Sequence, residues 1–172
     1  MTSFLVYTQF RDVRGVSVTN ANFAVIERMA HWQAALSMWR HNFWLGVGFG
    51  CYEPAYAAHR LISWPLALGH AHNYYLNLLA ETGVVGLTAY LGWLGTLFVR
   101  LWQAARRLVD WRRGLALGLI GAWTHLAVHS LVDNLLVNNA HLHAGVLLAL
   151  SAWVVGQSLR AQSRATTVSP SA

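Results

Sequence analysis

The sequence predicts an all-α integral membrane fold: about three transmembrane helices preceded by an extracytoplasmic loop segment that carries an amphipathic helix. Three observations carry this. Of the 172 residues 56% are hydrophobic and only 10% charged, where soluble domains hold about a quarter charged residues. The mean hydropathy is +0.38. The apolar residues also gather into long runs beyond residue 74, divided by a cluster of arginines. A chain of this length could close a sizeable soluble core, but its shortage of charge argues against one.

The formal charge of +6 comes entirely from arginine, since the chain has no lysine. Five arginines, Arg100, Arg106, Arg107, Arg112 and Arg113, lie between two apolar runs. That is the pattern of a cytoplasmic loop rather than of a basic nucleic-acid face. Cys51 is the lone cysteine, so neither an intramolecular disulfide nor a thiolate metal cluster is available. Met1 to Phe10 lacks a charged region before a long apolar core and is no signal peptide. An outer placement of the N-terminal half then needs earlier spans, and the chain is expected to be the C-terminal part of a larger polytopic protein.

In chain order, residues 1–22 read as loop or short strand. From about Asn22 to Trp44, Phe23, Ile26, Ala30, Ala34 and Met38 recur at helical spacing, and the run is too polar to cross a bilayer. Leu45-Gly46-Val47-Gly48-Phe49-Gly50 reads as the turn that ends this helix; with no strand before it, a dinucleotide loop is discounted. Residues 51–69, with Pro54 and Pro65, read as an irregular but ordered aromatic loop at an interface. Spans follow at about 74–99, 115–136 and 141–159, joined by the arginine-rich loop 100–113 and the uncharged turn Val137–Ala140. Gly83, Gly86, Gly92 and Gly95 suit close approach of another helix. The organisation is thus 1–73 outside the cytoplasm, 74–159 in the membrane and 160–172 as a disordered cytoplasmic tail.

The candidate chemistry centres on His70-Ala71-His72-Asn73, at the head of the first span. His72 titrates near neutral pH and could exchange a proton with a hydroxyl or phosphate; the plainer role is an interfacial cap on the helix. Asn73 could hold a sugar through its donor and acceptor pair. His70 and His72 alone make a poor metal site for want of a third ligand. His125, His129 and Asp133, spaced by four, fall on one face of the second span. They could form a proton relay or metal trio, but a polar seam with Thr124, Ser130 and Asn134 is favoured. Arg28, Arg40 and Arg60 could bind phosphate bidentately or merely touch lipid headgroups.

Glu27-Arg28-Met29-Ala30-His31-Trp32-Gln33-Ala34-Ala35-Leu36, then Leu45 to Gly50, His70 to Leu76 and Glu81 to Leu87, together resemble the O-antigen ligase and polymerase superfamily. His72, Asn73, Gly83 and Gly86 fill the ligase pattern of His, then Asn, Ser or Gln, nine residues, Gly, two residues, Gly. The resemblance covers about residues 20–100. It implies a multi-pass enzyme of the bacterial inner membrane, acting in cell-surface polysaccharide biosynthesis without cofactor, metal or nucleic acid. Such an enzyme moves a glycan from an undecaprenyl-diphosphate-linked donor to a lipid or glycan acceptor at the outer face. His72 then resembles the base that activates the acceptor, and Arg28 the arginine that holds the carrier's diphosphate. Asn73, Arg40 and Arg60 are candidates to bind substrate. A polymerase or protein O-oligosaccharyltransferase of the same superfamily is the alternative, as is a non-catalytic or transport-type relative.

Overall fold

The computed structural model describes residues 12–135 and 140–167. All regular structure among them is helical: α1 (Phe23–His41), α2 (Tyr52–His59), α3 (Tyr74–Arg107), α4 (Asp110–His129) and α5 (Ala140–Thr167). No strand occurs among the described residues; the run Phe4–Tyr7, read as a possible strand, lies outside them. The chain forms two compact units. One holds the residues up to Ala89 together with Ser130–Asn134, and the other holds Tyr90–His129 and the residues from Leu135 on.

In the first unit, α1 buries the stripe its spacing requires. Ile26, Ala30, Ala34 and Met38 are all fully buried, and the larger of these side chains stabilise by roughly 1.5–3 kcal/mol each. Ala34, Ala35 and Met38 pack with Tyr52 and Tyr56 of α2 and with Ala71 and Ala80. Ile26, Met29, Ala30 and Trp32 pack with Val13 and Trp64. Phe23, the first member of the stripe, stays exposed but lies against the Trp64 ring, with centroids 5.4 Å apart. The last turn of α1 carries Arg40, whose charge suits the helix's negative end.

Residues 51–69 include a short helix, α2, where an irregular loop was expected. Pro54 falls in the first turn of α2, where a missing N–H costs nothing. The Tyr52 N–H, one of the orphan donors of that turn, donates to Glu81 Oε1 at 3.1 Å.

The main feature of this unit is a break in α3. Gly83 has φ +65° and ψ −165° inside an otherwise helical run, a conformation essentially closed to other residues. The break frees helix carbonyls on one side and amides on the other. The Val47 N–H donates to the Ala80 carbonyl and the Gly48 N–H to that of Glu81, each at 2.9 Å. In return the Val84 and Val85 N–H groups donate to the carbonyls of Phe43 and Trp44, at 3.0 and 3.3 Å. The glycine-rich loop is therefore the partner of the break and more than a helix stop. Two glycines make the approach possible: a Cβ on Gly46 would stand 2.3 Å from the Glu81 carbonyl carbon, and one on Gly83 2.2 Å from the Trp44 carbonyl oxygen. Gly92 and Gly95, expected at a helix contact, face nothing within 4 Å.

In the second unit, Leu94, Leu101, Ala104, Ala105 and Leu108 pack with Ala116, Leu119 and Trp123 of α4 and Val154 of α5. The Trp123 Nε1–H donates to Ser151 Oγ at 3.0 Å, and the Ser151 hydroxyl donates on to the Leu147 carbonyl.

Two helices, α3 and the Ala140–Arg164 part of α5, are long and apolar enough to cross a membrane. The α4 helix is not in that pair. It opens on Asp110, Arg112 and Arg113, and the 16 residues left to His129 rise only about 24 Å. Three boundaries differ from the sequence reading. The arginine-rich stretch 100–113 is helical except for Leu108 and Val109, because Arg and Ala favour helix as well as Leu does. The second apolar run leaves the helix after His129 rather than at 136. The α5 helix continues to Thr167, through a segment expected to be disordered from residue 160.

Gly83→Ala and Gly46→Ala should each destabilise the first unit by at least about 3 kcal/mol, from a positive φ plus a backbone collision. Gly92→Ala, with open space around it, should be neutral or slightly stabilising. Thermal unfolding of the three variants in mild detergent checks this contrast.

Candidate functional site

The site forms where α3 begins. Asn73 caps the helix: its side-chain oxygen accepts the Leu76 N–H at 3.0 Å. Its amide donates to the Leu131 carbonyl at 2.8 Å. The Tyr74 N–H donates to the Ser130 carbonyl at 2.9 Å. The turn 130–134 is thereby fastened onto the head of α3. Asn73, expected to hold substrate, is buried and spends its carboxamide on the protein.

His72 precedes the cap and has φ +50°, a left-handed backbone that costs a side-chain-bearing residue about 1–2 kcal/mol. It is held there from both sides. Its N–H donates to His70 Nδ1 at 3.1 Å, and its carbonyl accepts the Trp32 Nε1–H at 3.3 Å. Its ring meets the edges of His70 and His31, with centroids 4.4 and 5.5 Å away. His31, only 1% exposed, stacks on Tyr56 at 4.9 Å. The Tyr52 hydroxyl donates to the His31 carbonyl, so the 3.1 Å contact between that oxygen and His31 Nδ1 requires the hydrogen on Nδ1.

The side chain of His72 is 18% exposed, and its Nδ1 lies 3.6 Å from Asp133 Oδ1. This is ion-pair range, beyond hydrogen-bond length. Both ring nitrogens are buried with no hydrogen-bond partner, and so is Arg28 Nε; one Arg28 terminal nitrogen donates to the Ala24 carbonyl at 3.3 Å. Leaving such groups unpaired costs about 1–3 kcal/mol each. Burial pushes the His72 imidazole below its ordinary range; the charges of His70 and Arg28 act the same way and Asp133 opposes them. The ring is neutral at pH 7, with a free lone pair. Burial opposes ionisation of Asp133, but the Asn134 N–H, His72 and Arg28 outweigh it and hold the carboxyl below its usual range. Burial also brings His31 down to about 4.

Arg28 is the one candidate arginine whose charge bears on His72. Arg40 is exposed in the last turn of α1, and Arg60 donates to the Pro65 carbonyl at 2.8 Å. The expected His125–His129–Asp133 face does not form, because the helix ends at His129. His125 and His129 remain neighbours, with ring centroids 5.6 Å apart, while Asp133 turns to His72. The sequence held no local signal for that pairing.

Asp133 also supplies the third donor that His70 and His72 lacked: ligating atoms of the three lie within 4.8 Å of one another. Two features weigh against a metal cation. His70 Nδ1 already accepts the His72 N–H, which leaves the ring's proton on Nε2. The Arg28 charge acts on both His72 and Asp133. The donor set suits a proton and an anion better. An open groove of about 350 Å³ between residues 13–15 and 61–64 offers little for an anion, since its one cation, Arg14, is paired with Asp12.

An interrupted apolar helix, headed by a half-buried imidazole beside a carboxylate and within reach of an arginine's charge, is the arrangement of a membrane protein that keeps polar groups at one end of a span. The family model for O-antigen ligase matches residues 2–91, more than half of the 172, and the chain belongs to that family. The match takes in α1, α2, the glycine-rich loop and the head of α3, and leaves Asp133 outside. No curated protein and no solved structure matches the chain.

Because the unfolded chain protonates His31 near pH 6.5 and the folded one only near 4, stability should fall as pH drops through that window and level off below it. The full loss from this residue is about 3 kcal/mol. Unfolding curves between pH 7 and 4 should be flatter for His31→Gln.

Proposed function

We propose that the protein transfers a glycan from an undecaprenyl-diphosphate-linked donor to an acceptor hydroxyl at the outer face of the bacterial inner membrane, in cell-surface polysaccharide assembly. The observation that carries this reading is the set of buried nitrogens, on His72 and Arg28, that the protein itself leaves unpaired. Membership in the O-antigen ligase family supports the reaction class.

Neutral His72 takes the proton of the acceptor hydroxyl at Nε2. The acceptor oxygen bonds to the anomeric carbon of the donor glycan, and the bond from that carbon to the diphosphate breaks. Its electron pair leaves with the diphosphate, whose growing negative charge Arg28 stabilises. Asp133 acts through His72: its charge holds the ring in place and stabilises the imidazolium that forms. In this reading residues 12–73 and the turn 130–134 lie on the outer side of the membrane and the arginine-rich stretch 100–113 on the cytoplasmic side, with α4 returning between them on a shorter apolar run than α3 or α5. The acceptor is a lipid or glycan carrying a free hydroxyl.

Transfer from an undecaprenyl-diphosphate glycan in membranes tests the reading. His72→Asn is the informative variant, because Asn tolerates the left-handed backbone and offers no base. It should lose at least ~100-fold in transfer at unchanged protein level. Arg28→Gln should lose a comparable factor. Asp133→Asn should fall less, with partial rescue by Asp133→Glu. Transfer by His72→Asn close to that of the parent would remove His72 from the chemistry and favour a non-catalytic relative.

A further inference from the structure

The loop that fills the break in α3 carries large apolar side chains on its outer side. Trp44 is 68% exposed, Leu45 70% and Phe49 81%. From Asn42 to Tyr52 the chain holds no charged residue. On most soluble surfaces such a run is a liability.

Three observations say what covers it. The loop's backbone is tied into the protein at several points: the amides of Gly46, Val47 and Gly48 donate to Asn42, Ala80 and Glu81, and the carbonyls of Phe43, Trp44 and Gly48 accept from Val84, Val85 and Cys51. Irregular backbone is tolerated at membrane depth only where its polar groups find partners, so it is the loop's side chains, carried by this anchored backbone, that reach the hydrocarbon. The loop is also fixed to a defined level of a candidate span. The uncharged part of α3 runs from Thr82 to Val99, between Glu81 and Arg100, and its 18 residues rise about 27 Å, close to the roughly 30 Å of a hydrocarbon core. The break at Gly83 sits at the outer end of that stretch, so the loop's hydrogen bonds tie it there. Finally, Glu81, the charged residue at this level, is buried and faces inward to the Tyr52 N–H, which keeps its charge away from the loop's outer side.

We propose that the Phe43–Phe49 loop is immersed in the bilayer, with Trp44, Leu45 and Phe49 in its outer hydrocarbon edge, so that the protein grips the membrane by a broken helix and its plug as well as by its spans. The occupant of this face is lipid. The inference is independent of the transfer chemistry and stands or falls apart from it.

The test is collision accessibility of nitroxide labels on the full chain in liposomes. With Cys51 replaced by Ser, single cysteines are placed by Trp44→Cys, Phe49→Cys and, on the exposed side of α2, Ala57→Cys. Labels at 44 and 49 should collide with oxygen in preference to a water-soluble nickel chelate, and the label at 57 should show the reverse. Nickel access at 44 and 49 equal to that at 57 would overturn the proposal, since the loop would then stand in water. Low access to both probes would also overturn it, because a protein surface would then cover the loop. The labelled sites are exposed, so the variants fold; the circular dichroism spectrum of each checks this.

Discussion

The structure of the first unit depends on one exchange of hydrogen bonds. A helix interrupted in an apolar setting exposes amides and carbonyls that nothing in hydrocarbon can satisfy. Here the loop after α1 returns both kinds at once, taking two carbonyls from below the break and giving two to the amides above it. The exchange needs backbone against backbone at van der Waals distance. Gly46 and Gly83 are the residues that allow it, each on its own side. From this join follow the position of α2, whose first amide is held by Glu81, and the height of α1 against the head of α3.

The same economy shapes the site. His72 is held in a left-handed backbone by neighbours that bond its N–H and its carbonyl, and its ring nitrogens are left with nothing to bond. The protein thus fixes the ring in space and withholds hydrogen-bond partners from its nitrogens. His31 and Tyr52, bonded to each other behind it, form a neutral wall that keeps the ring from sinking deeper.

Much of this was legible in the residues. The stripe Ile26–Ala30–Ala34–Met38 gave α1, because a 3.6-residue period leaves few other readings. His72 and Arg28 were singled out by residue chemistry and a motif, and the structure brings the Arg28 charge to bear on His72. Other features were hidden for physical reasons. A proline in a first turn looks like a breaker until the turn is known, so α2 went unread. Asn73 seemed free to bind sugar, but its oxygen caps α3 through the Leu76 N–H and its amide is held by the Leu131 carbonyl, which is distant in sequence. Equal spacing drew Asp133 to His129, when the helix that would have joined them ends between them. Gly92 and Gly95 have the composition of a helix contact, but among the described residues nothing lies within 4 Å of where their side chains would be, since composition permits an approach and does not supply the partner.

The clasp between the head of α3 and the turn at 130–134 bears on the order in which this protein can be made. His72, Arg28 and the cap residue are all synthesised early, yet the carbonyls that complete the cap belong to Ser130 and Leu131 and the counter-charge to Asp133. A nascent chain that has emerged only as far as α4 has the imidazole without its carboxylate and Asn73 without its tether. Assembly of the site is therefore a closing event in biogenesis, reached when the later helices have been threaded and their connection has swung back over the start of the first.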